Sequence, residues 1–276
     1  MADIHTFNHR AMATHFEVRI ANEGRSYAAQ AAQAALDLLD KLESHLSRFR
    51  PSSDIAQSAH LAPGETMRLS EPAFACIEIA KKMELATRGS FSPTPAALQT
   101  QTSMPQWSLR AEDFSIRCDS GRLEFDLGAI GKGFALDRMA ELLRHWDCPT
   151  FLLVAGGSSI LAGDPPTGAP GWSCGLGDDN APQRFYLAHA SLSGSGLAVM
   201  GSHILDPRTG QPAVRRRRAW ALTDTAAESD ALSTACMVLS EAELGEVLAK
   251  DPSWLVFLET DEGARPLGNR ALPPQA

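Results

Sequence analysis

No two cysteines of this 276-residue chain form a CxxC pair, and the total of five is odd. That leaves no readable disulfide framework or zinc site. Cys76, Cys118, Cys148, Cys174 and Cys236 are isolated, as small buried thiols in a reducing compartment are. No window approaches 18 continuous apolar residues, and Met1-Ala2-Asp3-Ile4-His5 has neither a basic stretch nor an apolar one. We therefore expect no membrane segment and, for the chain as given, a cytoplasmic protein; if a leader has been removed, the expectation becomes the periplasm. Positive charge is also short. Lys+Arg 25 against Asp+Glu 33 leaves a net charge of −8, which argues against a general nucleic-acid binder. Internal repeats, low-complexity tracts, a serine-nucleophile elbow, an HExxH metal motif and a Walker loop are all absent.

What is present is an ordinary globular composition, 44% hydrophobic and 21% charged. The length fits one elaborate domain spanning 1–276, or two intimate lobes with a cleft between them. Phe16 to Ile20 alternates as a strand, residues 26–46 carry Ala and Leu at helical spacing, and Ser70-Glu71-Pro72 starts a helix that Gly89 ends. The proline-rich stretch 92–112 reads as loop. Leu123 to Leu127 reads as a strand entering the turn Gly128-Ala129-Ile130-Gly131-Lys132-Gly133, with a helix from about Phe134 to His145. Phe151 to Ala155 is an apolar strand that ends at Gly156-Gly157. Short strands alternate with turns as far as 223. A helix opened by Asp230 and another from Glu241 precede a final strand, Trp254 to Glu259. Strands and helices mixed without regular βαβ spacing predict an α+β fold with largely antiparallel sheet.

Three segments carry chemistry. In Ser229-Asp230-Ala231-Leu232-Ser233-Thr234, Asp230 and Thr234 share a helix face, so two hard oxygens point one way, as a Mg²⁺ held partly by a bound phosphate would need. Taken alone, the segment reads more simply as a helix capped by Ser229, with Thr234 back-bonded to a carbonyl. The turn 128–133 frees backbone N–H groups at a helix start, where anions are favoured, and Lys132 adds charge. His203 precedes the turn Asp206-Pro207-Arg208-Thr209-Gly210; as a general base it would need a neighbouring reacting hydroxyl. Arg215 to Arg218, the one charge run, reads either as a solvated edge or as a landing site for an acidic group.

Together, and in this order, these segments resemble the ApbE family of flavin transferases. The matching pieces are Met12-Ala13-Thr14-His15-Phe16, Leu46 to Ser53, Gly89-Ser90-Phe91-Ser92-Pro93-Thr94, Asp126 to Gly133, Ala155-Gly156-Gly157, His203 to Gly210 and Asp230 to Thr234. The resemblance implies a T-fold-like α+β architecture and Mg²⁺-dependent transfer of FMN from FAD, the substrate, to a Thr or Ser hydroxyl of an acceptor flavoprotein, with AMP released. FAD hydrolysis to FMN and AMP, or flavin binding without catalysis, are the alternatives. By the same resemblance the Ala129 carbonyl, Asp230 and Thr234 are metal ligands. Met12, Phe49, Ser90, Phe91, Ser92, Asp126, Lys132 and Ile204 are cofactor contacts, and His203 is the base. The chain departs from the family pattern at Ala13 (Gly), Ser92 (Asp), Ser58-Ala59 (Leu-Asn) and Ser158 (Asp). These departures fall in the ligand-binding half, while the metal half matches.

Overall fold

In the computed structural model, the described residues are 3–176, 183–196 and 204–276. The elements in chain order are β1 (Ile4–Ala11), β2 (Thr14–Ala21), α1 (Arg25–Leu46), α2 (Asp54–Ser58), β3 (Thr66–Arg68), α3 (Glu71–Ala86), α4 (Ala97–Thr100), β4 (Gln106–Arg110), β5 (Ser115–Ser120), α5 (Gly131–His145), β6 (Phe151–Ala155), β7 (Ser159–Ala162), β8 (Trp172–Leu176), β9 (Gln183–Leu187), β10 (Ala190–Gly196), β11 (Leu205–Asp206), β12 (Gln211–Pro212), β13 (Arg218–Thr223), α6 (Ala226–Val238), α7 (Glu241–Leu248), β14 (Leu255–Thr260) and β15 (Gly263–Gly268). Among the described residues, an eight-stranded sheet runs β1-β2-β6-β7-β10-β13-β14-β15. Its neighbours all pair antiparallel, which is the α+β arrangement expected.

Alternation sorts the sheet's two faces. Phe16, Val18 and Ile20 of β2 are buried in the main core together with α1, α3, α5 and α6. Leu152 and Leu192 join a second core with Trp172, Phe185 and Leu187 of the β8–β9 hairpin. No helix among the described residues is long and apolar enough to cross a membrane. All five cysteines are free and buried.

Several elements differ from the sequence reading. Leu123–Leu127 is not a strand: it is an unpaired segment whose Asp126 N–H donates to the Pro93 carbonyl at 2.8 Å. The stretch 92–112 is not simply loop, since it holds α4 and β4, and β4 pairs with β5 in a small sheet with β3. Helix α5 begins at Gly131 rather than Phe134, and β15 follows the strand expected to be last. The largest difference is at α6, which starts at Ala226. Its N-cap is Thr225, whose hydroxyl accepts the Glu228 N–H at 3.4 Å. Ser229 therefore caps nothing, and Asp230 lies inside the helix.

Candidate functional site

Two helix starts meet at the site. Gly133, in the first turn of α5, lies so close to α6 that a Cβ there would sit 2.0 Å from the Ala226 carbonyl oxygen. The glycine is thus a packing requirement. Asp137, one turn further on, accepts the Ala226 and Ala227 N–H groups at 2.7 and 2.8 Å, so α5 caps α6 through space. Burial pushes the Asp137 carboxyl up to about 7; the two backbone donors pull it down, and the charges of Glu228 and Asp230 add to the rise.

Asp230 is 3% exposed. Its Oδ1 accepts from Ser159 Oγ at 2.8 Å, and its Oδ2 from the Gly133 N–H at 3.0 Å and Lys132 Nζ at 3.2 Å. Lys132 Nζ also donates to the Gly128 carbonyl at 3.3 Å. An ammonium therefore already sits between a carboxylate of α6 and a carbonyl of the glycine turn. Thr234 Oγ1 donates to the Asp230 carbonyl at 3.2 Å, the back-bond the simpler reading predicts, and lies 3.1 Å from Ser195 Oγ. With its proton spent, one of the two Thr234 lone pairs remains after Ser195. No group of three His, Cys, Asp or Glu side chains among the described residues could hold a metal ion. A cation here would rely on one carboxylate with hydroxyl and carbonyl oxygens, a hard donor set of the kind Mg²⁺ takes when phosphate and water complete its shell. A niche that already stabilises an ammonium fits that demand.

The glycine turn is less open to an anion than its sequence suggests. Gly128 N–H donates to Asp126 Oδ1 at 2.9 Å, Ile130 and Gly131 N–H to the Leu127 carbonyl at 3.1 and 2.6 Å, and Gly133 N–H to Asp230. Most of the freed amides are spent on the turn itself. Asp126 Oδ2 pairs with Arg48 at 3.1 Å, which brings the neighbouring Phe49 toward this turn. Phe49 is 80% exposed, with the Arg48 guanidinium 4.7 Å from its ring centre.

Met12 sits in the β1–β2 turn, partly buried against the main core, and its N–H donates to Glu43 at 3.0 Å. Ser90 is buried, and its hydroxyl has no partner among the described residues. Phe91 is 1% exposed and packs in the core, so a ligand could meet only its backbone. Ser92 is buried and closes a local turn by accepting the Thr94 N–H at 3.1 Å. Burial pushes the nearby Glu84 carboxyl up, against a hydrogen bond from Ser92. Ile204 packs partly buried on the main core. His203 lies outside the described residues. The turn after it forms as expected: Gly210 N–H returns to the Asp206 carbonyl at 2.8 Å, and Arg208 links Asp206 to Glu243 of α7.

A cavity of about 580 Å³ opens elsewhere, lined by His15, Glu17, Arg19, Val154, Ile160 and Cys174 among others. Among the described residues, none of the expected ligand residues lines it. The Arg215–Arg218 run is solvated in part, with Arg215 and Arg217 exposed, yet its first two guanidinium groups also reach the end of α6. Arg216 donates to the Cys236 and Leu239 carbonyls, and Arg215 to that of Val238, at the end of α6.

The sequence profile of the ApbE family matches residues 12–257. The chain belongs to the ApbE family. It is 23% identical to the FAD:protein FMN transferase of Klebsiella pneumoniae (strain 342), over 92% of this chain and 83% of that one. Flavin transferase ApbE from Vibrio cholerae matches it in fold with a TM-score of 0.81 at 19% identity, over 97% of both chains. The apo form of the Pseudomonas stutzeri flavinyl transferase ApbE gives 0.80 at 18% identity, over 96% and 94%.

In this ApbE chain a buried hydroxyl array escaped the sequence reading. Ser191 and Ser193 of β10 both lie 2.8 Å from Ser229, and Ser195 lies 2.9 Å from Ser233. The signal was available: serine at every second position of a strand faces serine at i and i+4 of a helix.

Proposed function

We propose that this chain catalyses Mg²⁺-dependent transfer of FMN from FAD to a Thr or Ser hydroxyl of an acceptor flavoprotein, releasing AMP. The observation that carries the reading is the buried Asp230 carboxylate facing the Lys132 ammonium beside the Asp126–Gly133 turn. The family membership and the transferase named for its Klebsiella relative support it. Asp230, Thr234 and the Ala129 carbonyl would hold the cation. When bound, Mg²⁺ supplies Lewis-acid polarisation and charge neutralisation to the pyrophosphate.

The acceptor oxygen bonds to the FMN phosphorus as the bond from that phosphorus to the bridging oxygen breaks. AMP departs with the bridging oxygen, and the hydroxyl proton goes to a base, a role we assign to His203 on the resemblance alone. Phosphoryl transfer is mostly positioning and charge stabilisation. Lys132 serves it by moving its ammonium from Asp230 to the phosphate oxygens. Met12, Phe49, Asp126 and Ile204, with the Ser90-Phe91-Ser92 segment, make up the rest of the FAD contacts, within a single transferase domain.

The test is to incubate the protein with FAD, Mg²⁺ and a candidate acceptor, following AMP and the acceptor's mass. AMP release with a flavin adduct, both lost in Asp230→Ala, is the expected result. AMP release with no adduct on any acceptor would move the reading to FAD hydrolysis. Tight FAD binding without AMP would overturn both.

A further inference from the structure

We propose that Ser159 is a positioning residue for Asp230: its hydroxyl fixes one carboxylate oxygen so that the other is presented to the divalent cation. This inference rests on reading Asp230 as a metal ligand. Ser159 opens β7 just after the Gly156-Gly157 turn and is fully buried. It pairs with Ala155 of β6 on one side and Ser193 of β10 on the other, so its backbone is held from both edges. Two neighbouring strands thereby deliver hydroxyls to consecutive residues of α6, Ser193 to Ser229 and Ser159 to Asp230.

The donor pattern around the carboxylate is one-sided. The cationic group is on Oδ2, where Lys132 Nζ lies at 3.2 Å, together with the Gly133 N–H. Oδ1 has the neutral Ser159 hydroxyl at 2.8 Å. An ionised carboxylate only accepts, so a hydroxyl against it must donate. Ser159 Oγ therefore spends its one proton on Oδ1, and Ser158 Oγ, 3.4 Å away, is free to donate back into it. A donor on each oxygen stops rotation about the Cβ–Cγ bond. Outer-shell partners of this kind typically contribute about 10- to 100-fold to metal affinity or activity.

The experiment titrates Mn²⁺, as a spin probe, into the full chain, alone and with FAD, for wild type and for Asp230→Ala, Ser159→Ala and Ser191→Ala. Ser159→Ala is expected to weaken Mn²⁺ binding about 10-fold. It should raise the Mg²⁺ needed for half-maximal AMP release by a similar factor, with the maximal rate approached at high Mg²⁺. Ser191→Ala, whose hydroxyl reaches Ser229 and not the carboxylate, should keep wild-type Mn²⁺ affinity. If Asp230→Ala loses Mn²⁺ binding and Ser159→Ala keeps it, the positioning role is overturned while the metal site stands. If Asp230→Ala binds Mn²⁺ as wild type does, the metal-ligand reading fails and this inference with it. Ser159→Cys, similar in shape but a weak donor, carries the same comparison should the alanine variant not fold.

Discussion

Asp137 of α5 accepts the Ala226 N–H of α6 at 2.7 Å, so the helix carrying Asp230 and Thr234 is capped by a carboxylate from another helix. Helix caps of this type contribute about 1 to 2 kcal/mol. Asp137→Ala should lose at least that much in urea unfolding, because it also leaves two N–H groups near the core unpaired.

The same carboxyl has a pH signature. Its value in the folded chain is raised from 3.8 to about 7, mainly by burial. The folded state therefore holds this proton where the unfolded chain has lost it. The stabilisation is complete below about 4 and is lost as pH rises through about 7. The difference in stability between wild type and Asp137→Asn, followed from pH 4 to 8, should narrow as pH rises. A difference that widened would contradict the shift.

At Gly133 we expect the harshest single-methyl effect in the site. The added Cβ would lie 2.0 Å from a backbone oxygen, which cannot rotate away. Gly133→Ala should destabilise by about 3 kcal/mol or more, at the upper end for overpacking. It should also abolish activity by parting α5 from α6. Gly157→Ala, with nothing within 4 Å, provides the comparison and should be near neutral in thermal unfolding.

Ala13 offers the opposite case. Met12 and Ala13 have φ of 48° and 59°, the left-handed pair of a two-residue hairpin turn between β1 and β2. The glycine usual in the family at this position suits that conformation, and alanine does not. Ala13→Gly should stabilise by about 1 kcal/mol in urea unfolding.

The turn that follows His203 is tied down by charge. Arg208 pairs with Asp206 and Glu243, both at under 3 Å. Glu243 is held down at about 2, first by the Ser240 backbone and side chain and then by Arg208. A depressed carboxyl stabilises above its unfolded value near 4.5 and loses that contribution as pH falls toward 2. Arg208→Ala should weaken the acid limb of the stability profile, and fluorescence-monitored acid unfolding would show its midpoint at higher pH.

Much of the site was legible because it is written in short, contiguous motifs. Asp230 and Thr234 share a face by helical periodicity alone, and the Asp206–Gly210 turn follows from its residue types. What escaped depends on distant partners. Thr225 and Asp137 together move the start of α6 back to Ala226, and no local pattern announces a cap supplied from α5. The segment before the glycine turn alternates like a strand, yet Asp126 bonds to Pro93 rather than to a sheet. β1 was missed because its inward positions include His5 and His9, which break the apolar alternation, and among the described residues it pairs only with β2. The contact of the exposed arginine run with α6 escaped because the carbonyls it covers lie some twenty residues away.

Those arginines and Asp137 together hold α6 at both poles: a carboxylate at its amide end, guanidinium groups at its carbonyl end. The guanidinium charges have the sign that the carbonyl end of the helix favours, and the Asp137 carboxyl oxygens accept the amide end's N–H groups. Amide hydrogens of 226–238 should accordingly exchange with solvent only in global opening events, while those of the exposed β11–β12 hairpin exchange through local ones. The Asp230 and Thr234 oxygens proposed to meet the cation would then ride on one of the last parts of the molecule to loosen, and binding would order little of α6 that is not already in place.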